Sequence, residues 1–203
     1  MVFDDSAARG SAIPTPSEGM VTYLKDTDSL DKFDGTNFVP VDTGGLIAVK
    51  SALFTGTQVA SSVASGGNVA VTDLSITHEV SNPANKLIIS AFLGTLSNSE
   101  DFAQGGIAIH DGTGLIAVGN TAGSRTSVTA GGQGSPAANA NVSIMPSVTF
   151  VHTPGAGSKT YTVRAVNINL GTRTLAINRT SPDSDAANQV RSVSSLVIQE
   201  VAV

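Results

Sequence analysis

From Leu46 to Val203 the chain is a succession of short β-branched runs cut by Gly, Asn, Ser and Pro, and that punctuation leaves little room for anything but β structure. Tyr161, Val163 and Ala165 alternate with Thr160, Thr162 and Arg164, the two-residue period of a strand with one buried face. Comparable runs lie at 46–54, 69–80, 86–93, 106–110, 115–118, 142–145, 147–152, 159–169, 173–178 and 195–203. Their length and spacing predict an all-β protein, a jelly-roll-like β-sandwich. The segments DGTG (111–114), PGAGS (154–158) and LGTR (170–173) read as tight hairpin connections, and 121–141 and 180–192 as long surface loops.

Composition agrees with this reading and removes several classes of function. Charged residues make up 13% of the chain against about 25% in an ordinary soluble domain, so Ser, Thr, Asn and Gly supply the polar surface. The net charge of −5, with no basic stripe, argues against nucleic-acid binding. The absence of Cys excludes disulfides and Cys-ligated metal. No apolar run is long enough to span a bilayer, and the acidic start MVFDDSAARG does not read as a secretory signal, so synthesis in a cytoplasm without membrane insertion is expected.

Residues 1–45 differ from the rest. They hold seven aspartates (Asp4, Asp5, Asp26, Asp28, Asp31, Asp34, Asp42), and Pro14 and Pro16 stiffen SAIPTPSEG into an extended linker. Strands are expected at 20–24, 30–33 and 37–41, the last two joined by a two-residue type I′ turn at Asp34-Gly35. This predicts a small three-stranded meander in 1–45, a boundary near Gly44-Gly45, and a sandwich domain in 46–203. The meander is too small to fold well alone and needs a neighbour to pack on.

Candidate chemistry is sparse. His78, His110 and His152 fall in separate strands with no partner at a ligand spacing, and read as structural. HTPGAGSKT (152–160) leads into a strand where a phosphate loop needs a helix. The aspartates of DTDSLDKFDG lack the Gly and Glu positions of a calcium loop. No nucleophile elbow occurs, and no enzyme activity, metal or cofactor is expected.

Two runs are apolar at consecutive positions, Leu87-Ile88-Ile89 and Leu196-Val197-Ile198, as though buried by the sandwich core on one face and by a neighbour on the other. An exposed apolar terminal strand would invite aggregation, so 195–203 is expected to be central, with Leu196, Ile198, Val201, Val203, Leu87 and Ile89 at a subunit interface. The long loops offer Ser124, Arg125, Gln133, Asn139, Asp183, Asp185 and Asn188 as candidate binding contacts.

The stretch SAARGSAIPTPSEGMVTYLKDTDSLDKFDGTNFVPV (6–41) resembles a module of tail-associated and appendage proteins of tailed bacteriophages, departing at Phe38, where that family commonly has Trp. VTDLSITHEVSNPANKLIISAF, VTFVHTPGAGSKTYTVRAVN, LAINRT and SSLVIQEV resemble the C-terminal β-sandwich of phage minor tail and fibre-like proteins. The resemblance implies a homotrimer on the outside of a virion, with no catalytic residues. Residues 1–45 would then dock on other virion proteins, and the loops would meet a host-surface glycan or protein. A minor tail or fibre-tip protein is one reading, a capsid decoration or head-fibre protein a second, and a carbohydrate-binding module a third. With no Trp and only Tyr23 and Tyr161, the chain has few platforms for stacking sugar rings.

Overall fold

The computed structural model describes residues 1–41, 45–80, 82–98, 104–133, 143–181, 183–187 and 189–203. The chain forms two compact units, Met1–Gly45 and Leu46–Val203.

In the first unit β1 (Val2–Phe3) is followed by helix α1 (Ser6–Ala12) and strands β2 (Val21–Leu24), β3 (Ser29–Phe33) and β4 (Phe38–Pro40). The sheet order is β1-β2-β3-β4, so the expected three-stranded meander gains a parallel fourth strand. The helix corrects the reading of this region as wholly extended. Asp5 caps it by accepting the Ala8 N–H at 2.7 Å, and it stops at Ile13, where the following Pro14 disfavours helical geometry. Ser11 and Ala12, assigned to the linker, belong to its last turn.

Arg9 explains how so short a helix is held. Its guanidinium donates to Asp31 at 2.5 Å and to Thr22 at 3.3 Å, and lies 4.0 Å from the centre of the Phe38 ring. The Asp34-Gly35 turn also differs from expectation. Four residues, 34–37, link β3 to β4, and of the Asp34-Gly35 pair only Gly35 has positive φ, where a type I′ turn needs two such residues. The Asp34 carboxylate accepts the Thr36 and Asn37 N–H groups, both at 2.8 Å, and closes the loop as an Asx turn. Those bonds hold the Asp34 carboxyl below its ordinary value.

The second unit contains β5 (Leu46–Phe54), β6 (Gln58–Val63), β7 (Asn68–Val80), β8 (Lys86–Phe92), β9 (Leu96–Asn98), β10 (Gln104–His110), β11 (Leu115–Ile116), β12 (Ala130–Gln133), β13 (Ser147–His152), β14 (Gly157–Val166), β15 (Arg173–Ile177) and β16 (Ser194–Val201). One sheet has the order β13-β8-β16-β5. A second runs β11-β10-β14-β7 with β12 also on β10, and β6-β15-β9 form a smaller third. Every ladder in these sheets is antiparallel.

Counting the eight principal strands along the chain as β5, β7, β8, β10, β11, β13, β14 and β16, one sheet reads first-eighth-third-sixth and the other second-seventh-fourth-fifth. That interleaving of two Greek keys defines a jelly roll. The unit is therefore an all-β jelly-roll sandwich, and the terminal strand β16 is central, between β8 and β5.

Two connections expected to be hairpins are not. PGAGS joins β13 to β14, and LGTR joins β14 to β15, and in each case the two strands lie in different sheets. Asp111–Gly114 does close the β10–β11 hairpin, with the Asp111 N–H donating to the Gly114 carbonyl at 3.0 Å. Of the expected strand at 142–145, the described part makes one bridge, between Ile144 and Leu96.

The core between the sheets is aliphatic. Leu74, Leu87, Ile89, Ile107, Ile109, Val163, Leu175, Leu196 and Ile198 are buried there with Tyr161. Where β16 begins, the backbones come so close that a Cβ on Gly94 would sit 2.1 Å from the Val193 carbonyl oxygen, so this position requires glycine.

Candidate functional site

Alternation in β8 and β16 settles which side chains face inward. Leu87, Ile89, Leu196 and Ile198 are buried in the chain's own core and have no surface left for a neighbouring subunit. This corrects their placement at an interface: a two-residue period separates the faces of a strand without saying which one meets the core. Of the six candidates only Val201, half-buried, and Val203, exposed, keep solvent-accessible surface.

The side chains between those inner ones form the outer face of the sheet. Register places them in three rows: Val151, Ile88, Gln199 and Val49; Thr149, Ser90, Val197 and Ser51; Ser147, Phe92, Ser195 and Leu53. None of these positions carries a charge. Val49, Leu53 and Val151 are more than half exposed, and Ser90 and Thr149 share a hydroxyl–hydroxyl bond of 3.0 Å at the centre. Phe92, Val197, Ser195 and Thr149 line a shallow depression on this surface.

The outer face of the other large sheet is built differently. It carries the hydroxyl pairs Ser75–Thr162 at 3.0 Å and Thr77–Thr160 at 2.8 Å, with Glu79 and with Arg164, which donates to the Asn68 side chain at 2.9 Å. That surface is solvated, as one face of an antiparallel sheet commonly is.

The proposed contact residues fall in separate places. Ser124 and Arg125 are exposed in a turn ahead of β12, where the Arg125 side chain folds back to the Ala122 carbonyl at 3.2 Å. Gln133 is exposed at the end of β12. Asp183 and Asp185 line one cleft with Arg191, and Asp183 accepts from Arg179 at 2.8 Å and from Arg191 at 2.6 Å. Asn139 and Asn188 lie outside the described residues.

Sequence spacing gave no hint of a polar cluster at the end of the sandwich where β16 finishes. His78 Nε2 lies 2.7 Å from Glu200 Oε2, with both side chains buried, and Glu200 Oε1 accepts the Asn85 amide at 2.7 Å. Lys159 is the register partner of His78 and donates to Asp111 at 3.3 Å. His152 stands edge-on to Tyr161, ring centres 6.0 Å apart.

Electrostatics there follow from contacts and burial. Bonds from the Thr113 hydroxyl and N–H, the Gly114 N–H and Lys159 hold the Asp111 carboxyl well below the usual carboxylate range against the opposing effect of burial. Burial pushes the His152 imidazole below its ordinary value; the Asp111 charge opposes that and Lys159 reinforces it. Burial, helped by Asp111, raises the Tyr161 phenol to about 12. A separation of 122 residues hides the His78–Glu200 pair from any reading of spacing. Among the described residues no group of three His, Asp or Glu side chains is arranged to hold a metal ion, and no helix is long and apolar enough to cross a membrane.

No family model matches the chain. No curated protein matches it either. Among solved structures it is similar to one titled as the infectious bursal disease virus Gx strain, with 14% identity over 83% of this chain and 43% of that one and a TM-score of 0.38. It is also similar to the VP2 subviral particle of infectious bursal disease virus, with 13% identity over 87% and 47% and a TM-score of 0.34. The chain spans less than half the length of either. The jelly-roll assignment rests on strand order, not on these likenesses.

Proposed function

We propose that this chain is a non-enzymatic structural subunit of a virus particle, packing against other subunits through the outer face of the β13-β8-β16-β5 sheet. The observation that carries the reading is that face: three rows of uncharged residues, half of them apolar, on a protein that otherwise disperses its polar groups. Partly exposed apolar side chains on a surface without charge match the composition found at the centre of subunit contacts. The jelly roll supports the reading by analogy, because capsid domains are among its common uses.

Within that role the phage-module resemblance of 6–41 and of the sandwich strands favours a homotrimeric minor tail or fibre-tip protein. Residues 1–45 would attach it to other virion proteins, and the loops around Ser124, Arg125, Asp183 and Asp185 would face the host surface. A carbohydrate-binding role is less well supported, since Tyr161 is fully buried and the chain has no Trp.

Immunogold labelling of purified particles with antibody against the chain tests this. Label at the tail tip supports the full reading. Label on the head overturns the tail assignment in favour of a decoration or head-fibre protein. Particles without label overturn the virion role.

A further inference from the structure

The end of the sandwich that holds His152 has more to do than fill space. His152 is the last residue of β13, an edge strand whose ladder among the described residues is to β8 alone. Its ring packs on Tyr161 of β14, in the opposite sheet, so this contact joins the two sheets at that end. His152 Nε2 is buried and without a hydrogen-bond partner.

A proton on that nitrogen would create a buried N–H with nothing to accept it, a costly arrangement even on a half-buried ring. The charged groups facing the ring do not remedy this. Asp111, from the β10–β11 turn, already accepts Thr113 N–H at 2.9 Å, Thr113 Oγ1 at 2.6 Å, Gly114 N–H at 3.1 Å and Lys159 Nζ at 3.3 Å. Lys159, from β14, adds a like charge. Tyr161 presents its ring and a hydroxyl that is itself unpartnered. On the same sheet Lys86 of β8 reaches Thr153, the next residue, at 2.8 Å and adds a second cation. Farther along, His78 faces Glu200 of β16, Asn85, and Lys159 in register on β14.

We propose that this end of the sandwich is an acid-released clasp, in which proton uptake by His152 unseats edge strand β13 from the opposite sheet while the central strands stay paired. Relief is available at the edge: among the described residues β13 has one ladder about which it can swing, whereas β14 and β16 are each held on both sides. The sign agrees with linkage. A histidine that binds its proton less readily when folded contributes stability that is complete above its ordinary value of 6.5 and is lost as pH falls toward its folded value.

Backbone amide hydrogen exchange on the full chain, corrected for intrinsic rates, tests the clasp between about pH 7.5 and about pH 5.5, where histidine changes charge. The amides of β13 are expected to lose protection severalfold on acidification while those paired between β7 and β14 keep theirs. His152→Phe, which keeps an aromatic ring against Tyr161 and cannot take a proton, and His152→Gln should both abolish the loss. His110→Gln, at a histidine whose Nδ1 accepts the Gly112 N–H at 3.0 Å, should leave it intact. Equal protection of β13 at both pH values overturns the proposal, as does a loss that persists in His152→Phe.

Discussion

Strand β16 starts in one polar cluster and finishes in another, about 20 Å away at some 3.3 Å per residue, and the two are made of different chemistry. At the start everything is neutral. The buried Asn178 side chain donates to the Phe54 carbonyl at 2.8 Å and the Gly56 carbonyl at 2.9 Å and accepts from Ser194 Oγ at 2.5 Å, while Ser194 Oγ accepts the Gly94 N–H at 3.0 Å. Donors and acceptors match one to one, and nothing in the set titrates near neutrality. At the finish stand Glu200, His78, Asp111, Lys159, His152 and Tyr161, with the orphaned atoms His78 Nδ1, His152 Nε2 and Tyr161 Oη among them. The neutral end therefore offers nothing for mild acid to change, whereas the other end is built from ionisable groups.

Substitutions should expose that contrast. The largest effect is expected from Glu200→Ala, which strands His78 and Asn85 in the core; urea unfolding should show a loss of about 3–5 kcal/mol, the cost of leaving two buried groups without their hydrogen-bond partner. Asn178→Ala should cost about 3 kcal/mol by leaving buried backbone carbonyls and Ser194 unsatisfied, and its cost should be the same across neutral and mildly acidic pH. A smaller loss of about 2 kcal/mol is expected for Gly94→Ala, where a Cβ would collide with the Val193 carbonyl and the backbone must shift.

Tyr161→Phe should change stability least at neutral pH, because it removes a hydroxyl with no partner. Its signature is alkaline. With the folded phenol at about 12 against 10.0 unfolded, the native chain loses stability as pH rises through that window, and thermal melts of the variant should lack this loss.

How much of this could be read from the chain depends on the range of the interaction. Strands with strong alternation or β-branched runs are evident in sequence: β5 and β13 begin and end where the pattern does. Strands β6, β9 and β12 are not, since QVASSV, LSN and AGGQ are short or small-residue segments that pair because their neighbours position them. Helix α1 escaped notice because Pro14 and Pro16 dominate its surroundings, while the Asp5 cap and the Arg9–Asp31 pair that hold it become visible only in three dimensions. The apolar runs at 87–89 and 196–198 place an apolar side chain on each face of their strands, but Leu87 and Leu196 face the core and Ile88 and Val197 the outside, which only the register reveals. The polar end of β16 was illegible for the same reason, being assembled from β7, β13, β14, β16 and the β10–β11 turn.

Between the two ends lie the three uncharged rows of the outer face, and the functional account depends on whether that face meets another subunit. Sedimentation equilibrium of the intact chain, alongside Val197→Lys at the centre of the face and Thr162→Lys on the hydroxyl-paired outer face of the other sheet, addresses this directly. The account predicts a trimer mass for the wild type and for Thr162→Lys, and a monomer for Val197→Lys with its fold intact by circular dichroism. A wild-type chain that stays monomeric at every concentration, or a Val197→Lys variant that associates as the wild type does, would contradict it.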